Sequence, residues 1–282
     1  MEKIALVTDT TSDLSEETIK MYDINVLCFR IIYKDRELKD KVEISSKEVY
    51  DGFKNEVPTS AMPALSDMEA LYERLEKEGY THVIGITLSS GLSGVYNGLT
   101  LASKNHPNIN SFIYDSKSIS LGEGVLVEEC GRLIKEGKSF DEITKLLPVI
   151  RSKVHLFFVV GTLEYLIKGG RIGKVAGTIG ELLNLKPIIT VNEEGEYTTY
   201  CKVRGRKQSL NKMIEIIGEI TKDKKCRVYT MHGDAEEDTL KTKVEVEKLP
   251  SVDNVIYGGC ISPVSGVHSG PGLVGIVIYE EI

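Results

Sequence analysis

The stretch VIGITLSSGLSGVYNG, Val83 to Gly98, decides how the chain is read. An apolar run, VIGITL, stops at a cluster of hydroxyls and glycines, SSGLSG, and a helix-like pattern begins directly after it. Strand, Ser/Gly turn and helix together aim hydroxyls and unpaired backbone N–H groups at one bound group. The chemistry to be explained is what this turn holds, and whether it is reacted or carried.

The same alternation extends on either side. KIALVTDT, HVIGITL and NINSFIYDS read as strands, and DMEALYERLEKEG as an amphipathic helix ending at Gly79. Asp13 with Glu16 marks a helix start, and SSKEVYDGFKN a helix opening on Ser45 or Ser46. EVPTSAMPALSD reads as a loop between prolines. This βαβ order predicts a parallel-sheet α/β domain over 1–155. Beyond it, TLEYLIKGGRIGKVAGTIGELL reads as helix, glycine break, helix, and KPIITVNEEGEYTTYCKVRG as a hairpin turning at Glu194-Gly195. The chain closes with two strands around the loop SPVSGVHSGPG. The expectation for 156–282 is a smaller α/β domain with antiparallel pairing, packed on the first with a cleft between them.

Composition narrows the function classes. The chain has 282 residues, 41% apolar and 27% charged, with a net charge of −7 and no basic tract. A nucleic-acid partner is not expected. No apolar run approaches ~20 residues, so no membrane span is expected. MEKIALVTDTTSD goes directly into a strand pattern without a signal-peptide profile. The five cysteines are dispersed and odd in number, and read as reduced and mostly buried. Both features predict a cytoplasmic protein.

The familiar enzyme signatures fail. A Walker A loop ending at Gly173-Lys174 would need glycine at Lys168 and Ser or Thr at Val175. GxGxxG is absent, and Gly91-Leu92-Ser93-Gly94 is one residue short of GxSxG. The five histidines share no pair spacing with one another or with cysteine, so no metal is expected. Three polar segments remain: PTSAMP with Thr59 and Ser60, SSGLSG with Ser93, and SGVHSGPG with His268. On local chemistry, Ser93 is a helix cap or an anion ligand. Thr59 and Ser60 are turn residues or donors, and His268 bonds a local carbonyl or an anion. Arg171 in KGGRIG reads most simply as a solvated charge at a helix break.

Taken together the segments resemble the DegV family of bacterial lipid-binding proteins over the whole chain. VTDTTSDLS (Val7 to Ser15), PTSAMP (Pro58 to Pro63), LSSGLSGVYN (Leu88 to Asn97), DSKSIS (Asp115 to Ser120), LIKGGRIGK (Leu166 to Lys174) and HSGPGLVG (His268 to Gly275) follow in the family's order. The resemblance implies a two-domain α/β fold with one long-chain fatty acid, such as palmitate, stearate or oleate, at the domain junction. It implies a carboxylate held by Ser60, Ser93 and His268, with the Gly94 backbone and Thr59 as further ligands. The family loop reads Thr-Ser-Gln-Pro where this chain has Ser60-Ala61-Met62-Pro63. The resemblance further implies no catalytic residue, no metal and no cofactor. The carboxylate is expected to be presented to a separate ATP-dependent fatty acid kinase, docked at Arg171 and Arg204, which makes an acyl phosphate for phospholipid synthesis. A transient membrane contact is also expected.

Burial supports such binding. About 15 methylenes at ~0.8 kcal/mol each gain roughly 12 kcal/mol gross, and association entropy and carboxylate desolvation offset several of these. Two alternatives stand beside this reading. One is a serine hydrolase or transferase with Ser93 as nucleophile and His268 as base. The other is a sensor of another small anion, such as a phosphorylated metabolite.

Overall fold

The computed structural model describes residues 2–178 and 185–281. The first half carries strands β1 (Ile4–Asp9), β2 (Ile24–Leu27), β3 (Arg30–Ile32), β4 (Glu37–Lys39), β5 (Thr59–Ala61), β6 (His82–Thr87) and β7 (Asn110–Asp115). Four of these form an all-parallel sheet in the order β2-β1-β6-β7. Parallel neighbours need crossovers, and helices Glu16–Met21 and Val95–Asn105 supply those from β1 to β2 and from β6 to β7. Helix Leu65–Lys77 buries Met68, Leu71, Tyr72 and Leu75, one apolar stripe at helical spacing.

The second half carries β8 (Val154–Val159), β9 (Ile188–Val191), β10 (Tyr197–Cys201), β11 (Cys226–Gly233), β12 (Val252–Cys260) and β13 (Leu273–Glu280). They form one sheet in the order β10-β9-β8-β13-β11-β12. Pairing is antiparallel except between β11 and β12, which are parallel. This sheet is covered on both faces. Along β13, Leu273, Val277 and Tyr279 pack toward the first half, while Val274, Ile276 and Ile278 pack on a core with Met213, Ile216 and Ile217 of helix Arg206–Thr221. That is the period-2 alternation of a strand.

Several local expectations are corrected. PTSAMP is not a plain loop: β5 pairs with β3 in a small antiparallel sheet, β4-β3-β5, with Ser60 opposite Ile31. SPVSGVHSGPG contains a helix, Pro263–Ser269, with Pro263 in its first turn and Ser262 as its cap. Asp13 is not the cap of helix Glu16–Met21; it closes the 3₁₀ turn Thr10–Ser12. Ser15 caps Glu16–Met21, and Asp13 stands in the left-handed region at φ 55°. Ser45 opens its helix with a full capping box to Glu48. The second helix read after the glycine break begins as a 3₁₀ turn, Gly173–Thr178, and 179–184 lie outside the described residues. All five cysteines are free, but only Cys130 and Cys226 are buried.

Two carboxylates from the first half hold the helix that carries His268. Asp13 Oδ1 accepts from the Ser262 N–H at 2.8 Å, and Asp40 Oδ1 accepts from the Val264 N–H at 3.0 Å. Helix N-termini leave such N–H groups unpaired, so acids from across the junction complete this one. Asp13 Oδ2 also accepts from the Ser120 hydroxyl at 2.7 Å, and Lys41 pairs with Oδ1 at 3.0 Å. No helix among the described residues is long and apolar enough to cross a membrane.

Candidate functional site

SSGLSG divides its labour residue by residue. Ser89 is fully buried and its hydroxyl donates to the Gly195 carbonyl at 2.8 Å, tying the turn to the β9–β10 hairpin. Gly91 lies against the same hairpin: a Cβ there would stand 2.5 Å from the Gly195 carbonyl oxygen. The Ser90 N–H donates to Asp115 Oδ1 at 3.0 Å, and its hydroxyl accepts from Lys117 Nζ at 3.1 Å. Ser93 lines a cavity that includes neither Ser89 nor Ser90 in its wall. Its oxygen also accepts from the Val95 N–H at 3.3 Å, at the start of helix Val95–Asn105. The N-cap of that helix is Gly94, so Ser93 stands one residue before it, bonding the first helical N–H and facing the cavity.

The cavity at Ser93 occupies about 40 Å³ where the two halves meet. Its polar wall is Thr11, Ser60, Ser93, Ser265, Arg171 and His268. Ser60 on β5 and His268 on helix Pro263–Ser269 meet directly, Oγ to Nε2 at 2.7 Å. The other ring nitrogen, Nδ1, is buried beside Gly169 with no partner among the described residues. Burial, aided by the nearby Arg171 charge, holds the imidazole down at about 4, so it is neutral at physiological pH. Arg171 is half-buried rather than solvated. Its Nε donates to the Leu92 carbonyl at 3.2 Å and its Nη1 to that of Gly169 at 2.7 Å. It brings a fixed positive charge to a wall of hydroxyls, at a helix start whose dipole also favours an anion.

A second cavity, also of about 40 Å³, lies beside it and is almost wholly apolar. Ile119, Tyr197 and Ser265 belong to both walls, so the polar cavity and the apolar one adjoin across these three side chains. Thr11 is held from behind by a buried acid pair. Asp9 Oδ1 accepts from its hydroxyl at 2.6 Å and from its N–H at 2.9 Å, while Asp9 Oδ2 accepts from the Leu88 N–H at 2.9 Å. Glu123 lies 3.2 Å from the same hydroxyl. Burial raises the pKa of Glu123 well above the carboxylate range, and Asp9 beside it adds to the rise.

The sequence candidates thus separate. Ser60, Ser93 and His268 come together with Arg171 around one cavity. Thr59 is exposed, Gly94 is the backbone cap of helix Val95–Asn105, and Arg204 is exposed; none of the three lines the cavity. Thr11, Ser265 and Tyr197 were not singled out from the sequence, although Thr11 and Ser265 sit inside quoted motifs. The arrangement is poorly built for nucleophilic catalysis. His268 bonds Ser60, no carboxylate orients its Nδ1, and a base near 4 takes few protons at neutral pH.

Fold and site define an α/β protein whose two halves enclose a polar-headed apolar slot. Residues 3–281 match the profile of the family described as "Uncharacterised protein, DegV family". A DegV domain-containing protein of Clostridium acetobutylicum is 66% identical over 281 residues, covering 100% of both chains, and one of Clostridium perfringens is 44% identical over 284, again covering 100% of both. The chain belongs to the DegV family. Among solved structures, one described as showing fatty acid binding of a DegV family protein from Thermus thermophilus is similar, with a TM-score of 0.92 at 29% identity, covering 99% of this chain and 100% of that one. DegV from Bacillus subtilis, described as a fatty acid binding protein, gives 0.91 at 30%, covering 100% of both chains. A stearic acid-binding protein from Eubacterium ventriosum gives 0.87 at 26%, covering 99% of this chain and 98% of that one.

Proposed function

We propose that this protein is a carrier binding one long-chain fatty acid at the junction of an N-terminal (1–155) and a C-terminal (156–282) domain. Ser60, Ser93, His268 and Arg171 hold the carboxylate, and the tail lies in the apolar slot. The observation that carries this reading is the adjacency of a polar, cationic cavity and an apolar one, which share Ile119, Tyr197 and Ser265 in their walls. Only an amphiphile with a small anionic head and a long apolar tail uses both ends. Each cavity has room for a few waters, so a tail enters by moving side chains aside.

The carboxylate is carried, not reacted, by this chain. A separate ATP-dependent fatty acid kinase converts it to an acyl phosphate, with Arg204 as a docking residue. Hydroxyl donors suit this, because they hold the carboxylate while leaving it nucleophilic. The test combines delipidated protein, labelled palmitate or oleate, ATP and a fatty acid kinase catalytic subunit. Acyl phosphate should form only when both proteins are present, with Ser93 inert to a fluorophosphonate. Turnover by this chain alone, or a labelled Ser93, would contradict the proposal.

A further inference from the structure

The larger sheet has a gap in its inward face. Leu273, Val277 and Tyr279 of β13 pack toward the first half, and the position between the first two is Gly275. Strand register sets Gly275 between Met231 of β11 and Phe158 of β8. All three line the apolar cavity. A glycine flanked by two large side chains on the same face makes a trough. Phe158 meets Tyr197, shared with the polar cavity, edge-on at 5.1 Å. The trough therefore leads from the polar end, past Phe158 and over Gly275, to Met231.

Met231 seats its thioether over a glycine at the far side. The β11–β12 register passes from Tyr257 to Gly259, leaving Gly258 as an unpaired bulge residue. A Cβ on Gly258 would collide with the Met231 sulfur and stand 2.7 Å from Leu121 Cδ1. The thioether thus occupies the hollow the bulge provides. Bulges re-aim side chains next to binding sites, and methionine is the most adaptable apolar side chain.

We infer that Gly275 is the floor of the acyl slot and Met231 its movable end wall, and that together they set the longest tail accepted. The inference rests on the fatty-acid reading. It is testable because position 275 tolerates a methyl. A Cβ there would lie 3.5 Å from Leu273, 3.8 Å from Phe158 and 3.9 Å from Met231, all ordinary contacts. Gly275→Ala should therefore fold while raising the floor, and Met231→Ala should open the end.

Delipidated wild type and both variants are incubated with an equimolar mixture of myristic, palmitic, stearic and arachidic acids. Bound acids are read by native mass spectrometry, and folding by thermal melts. Gly275→Ala should lower the stearic-to-myristic ratio about tenfold, the discrimination one methylene's worth of space supports. Met231→Ala should raise the arachidic share by a similar factor. Folded variants that both keep the wild-type chain distribution would overturn the inference. Wild type that takes up none of the four acids would instead overturn the fatty-acid reading beneath it.

Discussion

His268 is the residue on which local reading and structure differ most usefully. Its motif was visible, but its neutrality was not, because burial is a tertiary property. Removing the Ser60 hydroxyl strips the imidazole of its partner and the head group of a donor. Ser60→Ala should weaken fatty-acid binding by about 1–3 kcal/mol, roughly 5- to 150-fold in Kd. Unchanged affinity in a titration would remove Ser60 from the site. Arg171→Gln keeps donors but loses the charge. It should cost a fatty acid about tenfold in affinity and leave the matching fatty alcohol unaffected; equal losses for both ligands would mean that Arg171 is only structural.

Two buried groups couple stability to pH with opposite sign. His268 has a folded pKa of about 4, below the ordinary imidazole value near 6.5. Between those values the unfolded chain binds more protons, so the contribution of His268 is complete above about pH 6.5 and is lost as pH falls toward 4. Asp40 is pushed up to about 6 by burial. Its folded form binds the extra proton, so its contribution is complete below about pH 4 and is lost as pH rises through 6. Asp40→Asn should therefore raise the melting temperature by a few °C at pH 7.5, and by less at pH 5. A destabilisation of equal size at both would refute this. Nothing in KDKVEISS announces Asp40, since its partner, the Val264 N–H, is 224 positions away.

At the scale of elements, the strand–turn–helix around Val83–Gly98 was legible because apolar runs and Ser/Gly turns are local signals. β5 was not: three residues have no period to show, and the strand exists because β3 offers an edge. Helix Pro263–Ser269 was hidden for a related reason. Its two β-branched valines and a glycine are weak helix formers, and Asp13 and Asp40 complete its N-terminus from the other half. The hairpin contact tests the turn directly. Gly91→Ala would drive a methyl into the Gly195 carbonyl. It should destabilise the protein by about 1–3 kcal/mol, seen as a lower denaturant midpoint. A wild-type midpoint would mean that the hairpin does not bear on Ser89–Ser93.

For the whole molecule, the α/β class, a parallel sheet and then one with antiparallel pairing, followed from the change of rhythm near residue 155. The joining of the halves did not, because the contacts that make it are long-range. Ser60 meets His268 and Ser89 meets Gly195 only once both halves are folded together. That junction places a polar, cationic cavity beside an apolar one, and the central claim is that a fatty acid lies there. Native mass spectrometry of gently purified protein tests it most directly. The account predicts one long-chain fatty acid per chain, lost on delipidation and restored by palmitate or oleate. Protein that is lipid-free when isolated and takes up neither acid would contradict it.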